Sequence, residues 1–447
     1  MFSLKCTSWT LFSIFVLSLI TTSAKADLWR SGYYPGYASA MPASEIDFSA
    51  LTHVVHFSVF PNGDGTLNTN INNITPQGTA SLVTAAHNAN VKVLICVGGA
   101  NSYFPNAASP GNLNNFIYNL TNFMASGNYD GIDVDWEPLD DGDASTYTNF
   151  IIGLRGALNA FGTHKLLATA VPPSADPSLV ATVQSCFDQI NLMTYDYSGP
   201  YEGWVTWFNS PLYNGGYAFP SNPGEYVPST DATLTNYLTT GIPASKLGIG
   251  VTFYADIWTD GNDGSGNSMT NPREGWQIAP TNFYSVTYNQ IVSSNFPAGD
   301  FNYDTAAQAA WIGVSGAGTN DLFISYDSAR SCQAKISYAR NHGLGGIIIW
   351  ELSQDHVSGR TDPLLQAVKQ AAATPGTITA QRSGQNVNLA FTSMPLGSYR
   401  VLSATNLTAP WSSLMVTNIG LTSTGGVIQV SDSINHAVRF YRVQTPP

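Results

Sequence analysis

Four acidic residues lie within eight positions of a chain in which only 10% of residues are charged. They are Asp130, Asp133, Asp135 and Glu137, in the stretch YDGIDVDWEP. If this stretch is a strand, its alternation places the last three on one face, with neighbours about 6.6 Å apart. Like charges at this range raise at least one pKa, so one or two protons remain bound at neutral pH. A retained proton makes a general acid, which favours catalysis over a solvated acidic loop or a calcium site rich in Gly, Asn and backbone oxygens.

The spacing D-x-x-D-x-D-x-E resembles the signature of the family-18 glycoside hydrolases, the chitinases and their relatives. Three further segments resemble that family, and together the matches extend over roughly residues 28–372. The segments are VGG at 97–99, preceded by Cys96 where serine is usual, MTYD at 193–196 and GGIIIWE at 345–351.

The resemblance implies a role for each matching residue. Glu137 would protonate the glycosidic oxygen, Asp135 would orient the 2-acetamido group of the sugar, and Asp133 would share a proton with Asp135. Tyr195 would donate a hydrogen bond to the acetamide. Residues expected to bind the sugar are Trp350 as the floor, Met193 and Asp196 beside it, and Tyr33, Phe57 and Tyr254 at the ends of other strands.

Two positions depart from the family pattern. Relatives place a tryptophan after the paired glycines, where this chain has Ala100, and Phe104 is the candidate to replace that ring. Relatives often carry arginine two residues after the tyrosine of strand seven, where this chain has Asp256. We therefore expect the substrate contacts to differ at these two places.

Eight apolar, strand-like runs are separated by helix-like stretches. Strands are predicted at 29–34, 53–60, 91–97, 129–136, 165–171, 189–194, 246–253 and 345–350. Helices are predicted at 80–90, 112–125, 146–161, 231–240, 328–342 and 363–372. Such alternation predicts an α/β fold, most economically a (β/α)8 TIM barrel, with the chemistry at the carboxyl ends of the strands. Glu137 stands at the end of strand four.

Two further units flank or interrupt the predicted barrel, which we assign to residues 27–373. About 90 residues separate strands seven and eight, several times a usual connection, and we expect a small α+β insertion at about 259–325. After the breaker at 374–376 the chain is rich in β-type runs and turns, which predicts a small all-β domain at 376–447.

Residues 1–26 have the pattern of a secretory signal peptide, with a basic residue, an apolar run and small residues before a cleavage site after Ala26. Removal of Lys5 and Lys25 with this segment would change the formal net charge from −12 to −14. An acidic surface disfavours nucleic acid and anionic membranes. We expect a secreted, extracellular monomer that requires no cofactor and holds no metal. Cys96, Cys186 and Cys332 are an odd number and favour free thiols.

These features predict a secreted chitinase that hydrolyses β-1,4 linkages between N-acetylglucosamine units of chitin or chito-oligosaccharides, by substrate-assisted retaining catalysis. Two alternatives remain open. One is an endo-β-N-acetylglucosaminidase acting on N-glycans, and the other is a non-catalytic chitin-binding lectin of the same fold. The long insertion favours a polymer substrate over a small glycan, and Glu137 favours an enzyme over a lectin.

Overall fold

The computed structural model describes residues 28–259, 261–262, 269–280, 282–294, 296, 301–315, 321–356 and 362–372. Towards the carboxyl terminus it describes residues 379–383, 386–393, 398–405, 412–418, 426–433 and 440–444. The predicted signal peptide at 1–26 lies outside these ranges.

Eight parallel strands form a closed barrel, which confirms the predicted fold. Each strand pairs with the next along the chain, and the last pairs with the first through the register of Gly32 with Ile349. The strands are β1 (Trp29–Pro35), β2 (His53–Pro61), β3 (Lys92–Ala100), β4 (Gly131–Glu137), β5 (Leu166–Val171), β6 (Gln189–Leu192), β7 (Leu247–Thr252) and β8 (Gly346–Trp350).

Helices cover the outside of the barrel. They are α1 (Pro76–Asn88), α2 (Leu113–Ser126), α3 (Ala144–Asn159), α4 (Pro177–Val183), α5 (Thr230–Thr239), α6 (Ala329–Asn341) and α7 (Pro363–Ala372). Local chemistry sets where they begin: proline occupies the first turn of α1, and the Thr75 hydroxyl accepts a hydrogen bond from the Gly78 N–H at 3.1 Å. Within the described residues, no helix is both long and apolar enough to cross a bilayer.

The main hydrophobic core lies between the strands and these helices. On β4, Ile132, Val134 and Trp136 point into it and are at most 2% exposed. The Phe104 ring stacks on Trp136 with centroids 4.5 Å apart and is itself 0% exposed. Phe104 therefore belongs to this core, and the expectation that it forms a sugar platform was wrong.

A five-stranded antiparallel sheet interrupts the barrel between β7 and β8. Its strands lie in the order Asn282–Thr287, Tyr254–Thr259, Leu322–Tyr326, Ala309–Val314 and Phe301–Asp304, with a short helix at Tyr288–Ser293. The first of these strands in the chain begins at Tyr254, only two residues after β7 ends. The sheet therefore starts at the mouth of the barrel and shares Tyr254 with the site.

The carboxyl-terminal region forms two three-stranded antiparallel sheets, in keeping with the predicted all-β domain. One sheet contains Thr379–Ser383, Asn386–Ser393 and Gly426–Ser433. The other contains Ser398–Ala404, Ser412–Asn418 and Phe440–Gln444.

Candidate active site

The three acids of β4 project into the barrel from successive inward-facing positions. Asp133 is 0% exposed and Asp135 is 2% exposed, while Glu137, at the end of the strand, is half-buried. The parallel ladder pairs Asp133 with Cys96 and Asp135 with Gly98 on β3. The acids thus form a column that rises from the dry interior to the carboxyl-terminal mouth.

Asp133, at the bottom of the column, is held by a tyrosine from β1. The Tyr33 hydroxyl donates to Asp133 Oδ2 at 2.8 Å, and the Tyr33 side chain is 1% exposed. Burial raises the pKa of Asp133 to about 6, and the hydrogen bond from Tyr33 opposes that rise. Near neutral pH this carboxyl is therefore poised to accept a proton.

Asp135 and Glu137 share the upper part of the column. Burial, together with repulsion from Glu137 and Asp133, raises the pKa of Asp135 well above its ordinary value. Burial also raises the pKa of Glu137, although a hydrogen bond shared with Asp135 opposes this. Oδ1 of Asp133 and Oδ1 of Asp135 are buried and accept no hydrogen bond within the described part of the chain. Protons are consequently retained here, as a general acid requires.

The paired glycines of β3 let the backbone approach this column. Gly98 has φ +113°, and a Cβ built there would lie 2.0 Å from the backbone oxygen of Asp135. Gly99 has φ +110°, and its Cβ would lie 2.9 Å from the Phe57 ring. A side chain at either position would collide with a site residue and strain the backbone.

Trp350 lies at the end of β8 beside two other predicted site residues. Its ring centroid lies 5.4 Å from that of Tyr33 and 4.8 Å from that of Phe57, which meets it edge-on. Trp350 is half-buried, whereas Phe57 is 7% exposed. These contacts fix the indole with part of its surface open, as a floor beneath a sugar would require.

Residues after β6 form the opposite side of the pocket. Met193 is 8% exposed and Tyr195 is 4% exposed, and both pack in one cluster with Tyr33 and Phe57. Burial raises the pKa of Tyr195 well above its ordinary value, so its hydroxyl stays neutral and able to donate. A Cβ at Gly250 on β7 would lie 2.5 Å from the Tyr195 ring, so this glycine is needed to seat the tyrosine.

Asp196 and Tyr254 join this wall to the insertion. The Tyr254 hydroxyl donates a short hydrogen bond to Asp196 Oδ1, and the Asp196 N–H donates to Asn209 Oδ1 at 2.7 Å. Asp196 reaches solvent and adopts φ +57°. The surrounding protein nevertheless removes enough water to raise the pKa of its carboxyl. The sequence predicted both residues as sugar contacts, and the structure places them together.

Asp256 adds a carboxyl that sequence reasoning noted only as a departure from the family. It is 2% exposed and accepts a hydrogen bond from Ser285 Oγ at 2.8 Å. Burial raises its pKa to about 7, with a further contribution from nearby Asp196. A further carboxyl that titrates near neutral pH therefore lies close to Asp196.

Asp130, the first acid of the motif, lies outside the pocket. Its carboxylate accepts hydrogen bonds from Lys92 Nζ and His87 Nε2, each at 2.8 Å, and from the Val93 N–H at 2.9 Å. Although burial raises its pKa, these bonds lower it overall. Asp130 therefore ties the start of β4 to α1 and β3 instead of entering the pocket.

A buried ion pair beside the site was not anticipated. Lys335 on α6 is 0% exposed, and its Nζ lies 2.5 Å from Asp327 Oδ2 and 2.6 Å from Ser210 Oγ. Ser210 Oγ donates to the Thr194 carbonyl at 2.6 Å, while the Thr252 N–H donates to Asp327 at 3.1 Å. The pair thus ties the end of β7 to the residue before Tyr195. A lysine in a helix gives no sequence signal of such burial.

Comparison with known proteins places this arrangement in a family. The sequence model of Glycosyl hydrolases family 18 matches residues 30–355. The chain is 31% identical over 318 residues to chitinase A1 of Niallia circulans, covering 65% of this chain and 44% of that protein. It is 30% identical over 395 residues to the class V chitinase of Arabidopsis thaliana, covering 83% of this chain and 96% of that protein.

A solved structure shows the same fold. The Group IV chitinase of Ostrinia furnacalis, in complex with allosamidin, superposes with a TM-score of 0.64 over 78% of this chain and 99% of that one, at 24% identity. With the barrel, the column of acids and the family match over most of the chain, this protein belongs to glycosyl hydrolases family 18.

Proposed function

We propose that this protein is a chitinase that hydrolyses β-1,4 linkages between N-acetylglucosamine units. The observation that carries the proposal is the column Asp133–Asp135–Glu137, which retains protons near Tyr195 and is joined through Tyr33 to Trp350. The names of the relatives, chitinase A1 and class V chitinase, support the same substrate.

The first chemical step uses the proton on Glu137. This proton passes to the glycosidic oxygen as the bond to the anomeric carbon breaks, and the leaving sugar departs as an alcohol. The 2-acetamido carbonyl oxygen of the remaining sugar attacks the same carbon and forms an oxazolinium ion. Family 18 is one of the recognised exceptions to two-carboxylate chemistry, because the substrate supplies its own nucleophile.

The other two acids, Asp135 and Asp133, stabilise the positive charge of that intermediate. Positive charge develops on the acetamide, which Asp135 orients through its carboxyl and Tyr195 through its hydroxyl. As the charge develops, the proton on Asp135 moves to Asp133, whose pKa of about 6 suits it to accept a proton. Asp135 is then anionic beside the cation. Glu137, now a carboxylate, removes a proton from the attacking water, which gives net retention at the anomeric carbon.

The shape of the site favours a polymer over a compact N-glycan. The insertion sheet begins at Tyr254, at the rim of the pocket, and adds five strands on that side of the barrel. A sheet at this rim suits a long polysaccharide that extends beyond the bond being cleaved. Glu137 stands at the mouth, which favours an enzyme over a chitin-binding lectin.

The amino-terminal segment and the acidic charge also bear on where the protein acts and what it binds. The signal-like segment at 1–26 supports export to the extracellular space, and the formal net charge of −12 disfavours anionic partners. We propose a monomer that acts on chitin or chito-oligosaccharides without nucleic acid, membrane or cofactor.

The deciding experiment compares wild type with Glu137→Gln on chitin oligomers, on a high-mannose glycoprotein and on partly acetylated chitosan. We expect wild type to cut the oligomers and the chitosan, and the variant to bind oligomers without turnover, because an amide has no transferable proton. Proton NMR of early products should show the β anomer with N-acetylglucosamine at every new reducing end. Cleavage of the glycoprotein alone would favour the endoglycosidase, and an α anomer would rule out the substrate-assisted step.

A further inference from the structure

Tyr195, which we expect to donate a hydrogen bond to the acetamide of the substrate, lies just beyond the end of a strand. β6 ends at Leu192, and residues 193–199 form neither helix nor strand. Buried backbone groups in such a segment lack the regular partners of a strand and need others. The partners that they have therefore decide where the Tyr195 ring stands.

Two consecutive residues hold the peptide groups on either side of Tyr195. The Ser210 hydroxyl donates a hydrogen bond to the Thr194 carbonyl oxygen at 2.6 Å. The Asp196 N–H donates to Asn209 Oδ1 at 2.7 Å. The first bond holds the planar peptide group before Tyr195, and the second holds the one after it. Because the two planes meet at Cα of Tyr195, holding both fixes its φ and ψ and the direction in which its side chain leaves the backbone.

Lys335 determines how the Ser210 hydroxyl is oriented. A carbonyl oxygen can only accept, so the single hydrogen of the hydroxyl is directed to Thr194. The oxygen of Ser210 is then left to accept, and Lys335 Nζ lies 2.6 Å from it. An ammonium can only donate, so the direction of both hydrogen bonds is fixed. A charged donor at this distance also polarises the hydroxyl and strengthens the bond that it makes to the carbonyl.

The insertion sheet holds Lys335 and Asn209 in turn. Asp327 directly follows the strand Leu322–Tyr326, and its Oδ2 lies 2.5 Å from Lys335 Nζ. Ser325, within that strand, accepts a hydrogen bond from the Asn209 N–H at 2.7 Å. All four of these residues are at most 2% exposed, so little water competes for the contacts. Both attachments of the Tyr195 backbone therefore lead to the same part of the insertion.

The stability of the fold does not by itself explain a buried ammonium at this place. Removing the two charges of an ion pair from water is unfavourable, and apolar side chains of similar volume often stabilise a folded protein equally well. Apolar side chains cannot, however, donate a hydrogen bond to Ser210. The contribution that only Lys335 makes here is a fixed, charged donor one hydroxyl away from the backbone of Tyr195.

We propose that Lys335 and Ser210 are positioning residues for catalysis, which act through Thr194 to hold the Tyr195 hydroxyl where the acetamide of the substrate meets it. The inference rests on the proposed function for the role of the acetamide. If the Tyr195 ring moves, other residues still bind the sugar chain, but the acetamide is aligned less often with the anomeric carbon. Loss of this positioning should therefore lower kcat more than it raises KM.

The test is a double-mutant cycle of Ser210→Ala and Tyr195→Phe in the full chain, with kcat and KM measured on chitotetraose. Ser210→Ala removes the hydroxyl and leaves the ion pair of Lys335 with Asp327 in place. We expect it to lower kcat about tenfold and to change KM less than twofold. In the Tyr195→Phe background the same change should alter kcat less than twofold. Equal losses in both backgrounds would overturn the inference, because Ser210 would then act on something other than the Tyr195 hydroxyl.

Ser331→Ala is the matched control for stability. The Ser331 hydroxyl donates to the other carboxylate oxygen of Asp327, Oδ1, at 2.7 Å, and Ser331 is 0% exposed. Its replacement weakens the surroundings of the same ion pair and leaves the Ser210 hydroxyl in place. We therefore expect a lower Tm and an unchanged kcat. A loss of kcat as large as that of Ser210→Ala would overturn the positioning role, because loosening of the fold would then be sufficient.

A combined variant tests Lys335 without leaving a charge unpaired. Lys335→Met together with Asp327→Leu removes both members of the ion pair, which proteins often tolerate without loss of stability. We expect this variant to fold and to lose about as much kcat as Ser210→Ala. An unchanged kcat would overturn the role of Lys335.

The outcomes also separate this inference from the assignment of the enzyme. If wild type cuts no chitin oligomer, the proposed function fails, and crystal structures of the variants decide the positioning without substrate. A displaced Tyr195 ring in Ser210→Ala, with an unmoved ring in Ser331→Ala, would support the inference. An unmoved Tyr195 ring in Ser210→Ala would overturn it.

Discussion

Replacing Tyr33 by phenylalanine should move the acid limb of the pH–rate profile upwards. The Tyr33 hydroxyl donates to Asp133 Oδ2 at 2.8 Å in a site without solvent, and it stabilises the ionised carboxylate. A hydrogen bond to a charged group contributes about 1.5–3 kcal/mol, and one pKa unit corresponds to about 1.36 kcal/mol. Its loss should therefore raise the pKa of Asp133 by about one to two units from its value of about 6.

The expected change in rate follows from the need for an ionised Asp133. If this carboxylate accepts the proton from Asp135, kcat/KM falls below its pKa. A rise of about 1.5 units would reduce kcat/KM at pH 5.5 by about twentyfold and leave it little changed above pH 8. The assay is kcat/KM for a soluble chito-oligosaccharide between pH 4 and pH 9.

A neighbouring tyrosine provides the matched control. Tyr34 points away from the acids, and its hydroxyl donates to the Met41 carbonyl at 2.7 Å. Tyr34→Phe should therefore leave the acid limb where it is. An unmoved or lowered limb in Tyr33→Phe, with normal folding, would show that Asp133 does not accept the proton. A uniform loss of rate at every pH would point instead to a direct contact between Tyr33 and the sugar.

Three other variants test the surroundings of the site. Asp256 holds its proton up to a pKa of about 7, so wild type should lose stability as pH rises from about 4 to 7. Asp256→Asn should therefore be more stable than wild type at pH 8, by up to about 4 kcal/mol in the free energy of unfolding. Equal stability of wild type at pH 4 and pH 8 would contradict this. Lys335→Met leaves the Asp327 carboxylate buried without its cation and should lower the free energy of unfolding by about 3–5 kcal/mol, measured as a lower Tm. An unchanged Tm would mean that this ion pair does not hold β7 in place. Gly98→Ala should abolish activity, because its Cβ would lie 2.0 Å from the Asp135 carbonyl oxygen, whereas Gly142→Ala, with nothing within 4 Å, should retain it.

The sequence was sufficient to predict the barrel and the face of β4 on which the acids lie. Each apolar run is long enough to cross a barrel, and strict alternation on β4 leaves only one way to face Asp133 and Asp135 inwards while Trp136 faces the helices. The partner of Asp133 was harder to predict. Tyr33 lies 100 positions away, and only barrel closure brings the two together.

Other features depend on local geometry that periodicity does not encode. Phe104 follows the strand by four residues, and the short helix Phe104–Ala107 turns its ring inwards onto Trp136 instead of towards the cleft. The start of the insertion was also not predicted, because only Phe253 separates β7 from the strand that begins at Tyr254, and no glycine or proline marks the boundary. Lys335 has the sequence appearance of a solvated helix residue, and its buried ammonium is paired with Asp327, which directly follows the insertion sheet in the chain.

The arrangement of charge explains why burial and acidity coincide in this site. Burial raises the pKa of all three acids, and repulsion from its two neighbours raises that of Asp135 further. Within the described residues the buried cation of Lys335 is already paired with Asp327. A cation placed among the acids would lower their pKa values and remove the proton that Glu137 has to deliver. In the proposed mechanism the substrate supplies the positive charge that the column lacks, as the acetamide becomes an oxazolinium ion. Under this proposal Asp135 becomes anionic only when that ion forms, so the stabilising charge is present in the transition state and absent from the resting site.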